Sequence, residues 1–132
     1  MKFAESFNKL GYPLESIRQD WSAEKPDGVC ITLWRQEFFY ASGLPYYDLW
    51  QLHPNGGAWE QKSGHSKRTR HLIRAMEEFD GKVDVVLVMG EPGVSYGDAE
   101  PWESTKRGGF WTITKFDPAN GFFRAEITKS SA

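Results

Sequence analysis

The sequence predicts an α+β fold, in which a strongly bent or partly closed, mainly antiparallel β-sheet has two or more helices packed on it. Three observations predict this fold. Short runs of β-branched and aromatic residues, bounded by Gly, Pro, Asn and Asp, recur along most of the chain. Two other segments have apolar residues at helical spacing. With 132 residues, 39% hydrophobic residues and no linker-like break in composition, the chain fits a single domain, residues 1–132, with its own core.

The first third of the chain is predicted to form a helix and a β-hairpin. Phe3, Phe7 and Leu10 recur at i, i+4 and i+7, and Gly11 ends the helix. The turn sequence "KPDG" lies between the strand-forming runs of "DWSAEKPDGVCITLWRQEF". Alternation along the second strand directs three apolar side chains to one face: Val29, Ile31 and Leu33.

The middle of the chain is predicted to contain a third strand, a longer helix and a central strand. "YYDLWQL" resumes a strand after the break "ASGLP", and "HPNGGAW" is typical of a turn. The helix is predicted from about Ser66 to Phe79, with Gly81 as its stop. "KVDVVLVMG", which has four valines and no helix or strand breaker before its end, predicts a central strand.

The last third is predicted to contain a long loop and a second hairpin. Residues 90–108 are the longest stretch without periodicity, and loops of that length in compact domains are usually functional or mobile. "GFWTITKF" and "GFFRAEI" flank "DPAN" and predict two paired strands. The predicted order of elements is therefore α-β-β-β-α-β-β-β.

The composition argues against several classes of protein. Cys30 is the only cysteine, so an intramolecular disulfide and a thiolate metal cluster are excluded, and a reducing, cytoplasmic setting is expected. The amino-terminal residues lack the apolar run of a secretory signal, and the longest apolar run, "VDVVLVMG", is too short to span a bilayer. No membrane partner is expected. The chain has no P-loop, GxSxG or dinucleotide motif, and no cofactor is predicted.

Positive charge is concentrated in residues 61–74, although the whole chain has a net charge of −2. This segment contains five of the 16 cations and no carboxylate, while the rest of the chain contains all 18 acidic residues. Most of the segment's charged residues project opposite the apolar stripe of the predicted helix and are expected to face solvent. The residues predicted to bind phosphates are Lys67, Arg68, Arg70, His71 and Arg74.

The position of these cations favours an anionic ligand. Lys67, Arg68 and Arg70 fall in the first turns of the predicted helix, where the helix dipole opposes each cation by about 0.3–1 kcal/mol. A phosphate bound by these side chains and by backbone N–H groups would offset that cost. The nucleic-acid backbone is the commonest polyanion to meet such a surface, so DNA or RNA is the predicted partner. A solvated helix face without a ligand is the alternative.

The chain is rich in tryptophan, with six in 132 residues. Most of these indoles are predicted to be core or core-edge residues, because each buries a large apolar area. Trp59 and Trp102 instead lie in turn-rich segments beside polar residues. They are predicted to flank a pocket for a modified or extruded base.

The succession of short strands with one embedded helix, the turn-borne tryptophans and the basic helix face resemble PUA-like domains of the EVE and ASCH type. Those domains are small barrels that bind RNA or modified bases, so the resemblance implies a nucleic-acid-binding barrel. It covers about 110 residues and is architectural, with no diagnostic motif. The stretch "DWSAEKPDGVCITLW" also resembles a segment of uncharacterised bacterial proteins, some linked to nuclease modules.

Two other functions compete with a nucleic-acid reader. Asp48, Glu60 and Lys62 fit the loose spacing of PD-(D/E)xK nucleases, in which two carboxylates hold a divalent cation and the lysine stabilises the developing charge. Glu60 follows "NGGA", however, and not the continuous apolar strand of that pattern. The third hypothesis is a small protein-interaction or inhibitor domain that binds a protein partner through an aromatic surface. A non-catalytic module is favoured over an enzyme.

Overall fold

The computed structural model describes residues 2–14, 20–54, 63–91, 95–107 and 109–129, and it confirms the predicted α+β fold. Within these ranges eight strands form one sheet, with α-helices packed on it. The helices are α1 (Phe3–Lys9), α2 (Leu49–Leu52), α3 (Ser63–Glu78) and α4 (Ser104–Arg107). The strands are β1 (Ser22–Lys25), β2 (Gly28–Trp34), β3 (Phe39–Ala41), β4 (Leu44–Asp48), β5 (Lys82–Glu91), β6 (Ser95–Pro101), β7 (Gly109–Asp117) and β8 (Phe122–Lys129). No helix in the described ranges is both long enough and apolar enough to cross a membrane.

The sheet is mixed and is not closed into a barrel. Its strand order is β1-β2-β5-β7-β8-β4-β3, and β6 also pairs with β5. The β2–β5 pair is parallel, and the other described pairs are antiparallel. One edge of β5 pairs with β2, while its other edge pairs with β7 at Lys82 and Val83 and with β6 from Val86 onward. The predicted central strand is therefore confirmed, and the two halves of the sheet meet along it.

The core lies on both sides of β2 and β5. Ile31 and Val85 belong to a large cluster that includes Leu72 of α3 and Trp111 of β7. The alternate residues of β2 and β5 belong to a second cluster beneath α1. A strand that is covered on both faces is apolar throughout, which is why β5 has a run of valines instead of an alternating pattern. The described members of the second cluster are Phe7, Tyr12, Ala23, Cys30, Val86, Val88 and Ala99.

Two predictions about the elements are wrong. The strand predicted from "YYDLWQL" ends at Asp48, because the Asp48 carboxylate accepts hydrogen bonds from the N–H groups of Trp50 and Gln51 and so begins α2. The segment 90–108, predicted as a loop, contains β6 and α4. β6 is rich in small and acidic residues and has no apolar alternation, so only its pairing with β5 makes it a strand. The short strand β3 was also not predicted.

Candidate nucleic-acid interface

The basic helix α3 begins at Ser63, three residues before the predicted start. Lys67, Arg68 and Arg70 therefore lie beyond its first turn. The unfavourable effect of the helix dipole on a cation falls off within that turn. The dipole thus gives little reason for these cations to need a bound anion.

Arg68 is buried, with 6% of its surface exposed. The centre of its guanidinium lies 5.0 Å from the ring centroid of Trp21 and 5.1 Å from that of Phe123. Burial lowers the pKa of Arg68 to about 10. The charge remains on the side chain at neutral pH but is packed between aromatic rings, where it joins α3 to the core.

Lys67 and Arg74 are ion-paired with carboxylates. Nζ of Lys67 lies 3.2 Å from both oxygens of Asp20, which is buried. Nη1 of Arg74 lies 2.8 Å from Glu24, and Nε lies 2.7 Å from Glu78. Arg74 also donates to the carbonyl oxygens of residues 25 and 26. A phosphate could bind Lys67 or Arg74 only by displacing these acceptors. In the structure, both side chains instead hold α3 against β1 and the residues next to it.

His71 is buried and bonded through both ring nitrogens. Nε2 lies 2.9 Å from the Glu24 carboxylate, and Nδ1 lies 2.7 Å from the hydroxyl of Ser22. Burial lowers the pKa of His71, so the ring is neutral at pH 7. A carboxylate only accepts, so Nε2–H donates to Glu24, and Nδ1 accepts from the Ser22 hydroxyl.

The hydrogen bonds run from the Ser22 hydroxyl to His71 and from His71 to the Glu24 carboxylate. A catalytic triad, in which a histidine activates a serine, has the same direction. Ser22 is nevertheless completely buried, and the adjoining polar cavity has a volume of about 20 Å³, close to that of one water. The cavity is lined by Pro13, Asp20, Ser22, Ala23, Glu24, Lys67 and His71. A substrate cannot reach the hydroxyl, so the network orients α3 on β1.

The His71 network predicts a pH dependence of stability. Because the pKa of His71 is lowered in the folded state, the unfolded chain takes up a proton near pH 6.5 before the native chain does. The free energy of unfolding should therefore fall as the pH is lowered from 7 to 5.5. Urea unfolding at several pH values measures this slope, which His71→Gln should flatten. An unchanged slope in His71→Gln would assign the pH dependence to another group.

The basic face predicted to be solvent-directed is thus mostly internal. Its residues were assigned to solvent because they lie opposite Leu72, but β1 packs along that side and supplies Ser22 and Glu24 as polar partners. Arg70 is exposed as predicted. Phosphate binding by α3 stays a prediction, with Arg70 as its accessible member.

The structure describes one of the two tryptophans of the predicted base pocket. Trp102 is half-buried, and its ring packs edge-on against Trp111, with centroids 5.5 Å apart. Its indole N–H donates to the Gly109 carbonyl oxygen at 2.9 Å, and Arg107 lies over the ring. The turn-rich context suggested exposure, but the ring packs against the core. Trp59 lies outside the described residues.

The predicted nuclease triad is described only at Asp48, because Glu60 and Lys62 lie outside the described residues. One carboxylate oxygen of Asp48 caps α2, and the other lies 3.0 Å from Nη1 of Arg124. A metal ion would have to compete with both interactions. In the described part of the chain, no group of three or more His, Cys, Asp or Glu is arranged to hold a metal ion.

A different surface brings cations and aromatic rings together. The strand register places five directly opposed residues on the outer face of the sheet, one on each of β5, β7, β8, β4 and β3. They are Lys82, Thr112, Glu126, Tyr46 and Phe39. A second row on this face joins Lys115 to Arg124, and a third joins Phe110 to Thr128. We call these nine residues the outer sheet surface.

Three cations of the outer sheet surface each lie over an aromatic ring. Arg124 is 4.2 Å from the ring centroid of Tyr46, and Lys82 is 5.1 Å from that of Phe110. Lys115 is 4.5 Å from the ring centroid of Trp50, the second residue of α2. Phe39 extends this arrangement, since its ring stacks on that of Tyr46 at 5.5 Å. Lys82 and Lys115 are exposed, while the rings and Arg124 are partly exposed.

In the described part of the sheet, two carboxylates lie close to Arg124 on this face: Glu126 in the middle of the outer sheet surface, and Asp48, which is directly opposite Arg124 and 3.0 Å from its Nη1. Oε2 of Glu126 accepts from the hydroxyl of Thr114 at 2.6 Å and lies 3.3 Å from Nε of Arg124. The Thr114 hydrogen bond and the Arg124 charge lower the pKa of Glu126, so it is ionised at neutral pH. The centre of the surface is therefore negatively charged and accepts hydrogen bonds. Neither Lys82 nor Lys115 is a direct cross-strand neighbour of Glu126.

Sequence reasoning missed this surface because its members are spread over five strands and no segment has more than three of them. The available signal was alternation. In "GFFRAEI", Arg124 and Glu126 alternate with the buried Phe123 and Ala125. The pairing of this strand with β7 was predicted from the "DPAN" hairpin, but its pairing with β4 came only from the fold.

The comparisons with known proteins identify no relative. No protein-family model, curated protein or solved structure matches this chain significantly. The resemblance to PUA-like domains therefore stays a prediction.

Proposed function

We propose that this protein is a non-catalytic nucleic-acid-binding module that binds through its outer sheet surface. The observation that supports the proposal is the set of three cations on one solvent-facing side of the sheet, each beside an aromatic ring: two of the rings belong to the sheet and the third is Trp50 of α2. Cations neutralise phosphates, and aromatic rings stack on bases with little regard to sequence. Both contributions are available on a single surface.

The outer sheet surface suits this function better than α3 does. Lys82 and Lys115 are exposed, whereas Arg68 and His71 are buried and Arg74 is held by two carboxylates. A phosphate can approach the exposed lysines without breaking an internal ion pair. Arg70 alone offers α3 a comparable exposed cation among its predicted phosphate-binding residues.

Salt-dependent binding tests the proposal. Arg124 is held by Asp48 and Glu126, so two phosphate contacts are counted, by Lys82 and Lys115; they should give a slope of log affinity against log salt of about −1.4 on a single strand or about −1.8 on a duplex. The measurement is fluorescence anisotropy with labelled DNA and RNA, including modified bases, between 50 and 200 mM salt. The double variant Lys82→Gln, Lys115→Gln should weaken binding and make the slope shallower by about 1.4 on a single strand.

Arg70→Gln is the matched control, because Arg70 is exposed but lies on α3. It should leave affinity and slope nearly unchanged. A loss with Arg70→Gln but not with the lysine double variant would return the binding site to α3. If no nucleic acid binds at low salt, the proposal is wrong and a protein partner becomes the leading alternative.

A further inference from the structure

We propose that the outer sheet surface binds an unpaired nucleic-acid strand, with the bases turned toward the sheet and the phosphates toward its cationic margins. This inference rests on the proposed function and specifies the class of ligand. It follows from the width of the surface, the placement of its rings and the charge at its centre.

The width of the surface does not fit an undistorted groove of duplex DNA. The row from Lys82 to Phe39 crosses five strands. With neighbouring strands about 4.8 Å apart, the row is about 19 Å wide. The major groove of B-DNA is about 12 Å wide and admits an α-helix or a two-stranded ribbon. A surface this broad would meet only the outer backbone of an undistorted duplex.

The aromatic rings on this surface can stack only on bases that are not already stacked in a duplex. Phe39, Tyr46 and Phe110 lie on the solvent side of the sheet, opposite the core residues Tyr47 and Trp111. A duplex hides the faces of its bases, whereas a single strand can place them against an aromatic platform. Each stacked base is expected to increase affinity by roughly fivefold to 150-fold.

The charge pattern favours the same orientation. Glu126 lies directly opposite both Thr112 and Tyr46, at the middle of the five-strand row. Its carboxylate would repel a phosphate but can accept a hydrogen bond from the N–H group of a base. Lys82 ends this row on β5, and Lys115 lies in the neighbouring row beside Arg124. When the phosphates of a strand bind at these lysines, its bases lie over Tyr46 and Glu126.

The experiment compares a labelled 12-nucleotide single strand with a hairpin duplex that contains the same sequence. Both are titrated with the wild-type protein in DNA and RNA form at one salt concentration. We expect the single strand to bind at least tenfold more tightly. The double variant Phe39→Leu, Tyr46→Leu should remove most of this preference, while Tyr46→Phe, which retains the ring, should keep it.

Tyr40→Leu is the matched control, because Tyr40 lies between these positions in sequence, is 66% exposed and alternates to the other side of β3. It should bind as wild type does, and circular dichroism of each variant checks folding. Equal binding of single strand and duplex would overturn this inference and leave the proposed function standing. Absence of binding to either would overturn both. A single-strand preference that survives the double leucine variant in a folded protein would move the stacking site elsewhere.

Discussion

Replacing Asp48 with alanine is expected to lower the free energy of unfolding by about 3 kcal/mol, through loss of a helix cap and of an ion pair. The carboxylate caps α2 through the N–H groups of Trp50 and Gln51 and pairs with Arg124, and only 10% of the side chain is exposed. Loss of a helix N-cap costs about 1 to 2 kcal/mol. A hydrogen bond to a charged partner contributes about 1.5 to 3 kcal/mol, and the partial exposure of Arg124 keeps its share near the lower limit.

Asp48→Asn separates the two contributions, because asparagine caps helices about as well as aspartate but has no charge. This variant should lose only about 1 kcal/mol in urea unfolding. If Asp48→Ala is as stable as the wild type, the cap and ion pair contribute nothing measurable. The residue would then be conformationally available for another role, including the metal binding of the nuclease hypothesis.

Replacing Gly81 with alanine is expected to cost about 3 kcal/mol, from backbone strain and a steric clash together. Gly81 follows α3 with a φ of 81°, a conformation that costs a residue with a Cβ about 1 to 2 kcal/mol. An added Cβ would also lie 2.8 Å from the carbonyl oxygen of Ile113. That oxygen cannot move easily, because Gly81 itself accepts a hydrogen bond from the N–H group of Ile113 at 2.7 Å.

Gly43→Ala is the control for the strain. Gly43 has a φ of 80° in the β3–β4 turn, but no atom lies within 4 Å of an added Cβ. It should cost about 1 kcal/mol, the strain alone. The difference between the two variants in urea unfolding measures the close approach of the α3 end to β7. Equal losses would mean that β7 shifts at no cost.

The segregation of charge along the chain has a structural explanation that the sequence did not reveal. The cations of residues 67–74 were interpreted as a phosphate-binding face. In the fold, Lys67 and Arg74 meet Asp20 and Glu24, which lie in or next to β1. The cations and their acidic partners are about 50 residues apart in sequence, and only the docking of α3 on β1 brings them together. Charge that is segregated in sequence is therefore paired in space.

Local sequence determined the elements whose signals are complete within one segment. The "KPDG" turn between β1 and β2, the valine run of β5 and the two runs around "DPAN" were all predicted, because turn chemistry and strand propensity act over a few residues. The end of α3 at Glu78, shortly before Gly81, was predicted to within one residue for the same reason. Composition and spacing also determined the α+β class.

The tertiary structure decided what depends on partners that are distant in sequence. β6 is a strand because β5 offers it an edge, and its own residues have no strand pattern. Arg68 and His71 are buried because Trp21, Phe123, Ser22 and Glu24 meet them from other elements. The outer sheet surface exists because register aligns single residues from five strands. Periodicity reports which side of its own element a residue occupies, and only packing determines whether that side meets solvent, the core or a charged partner.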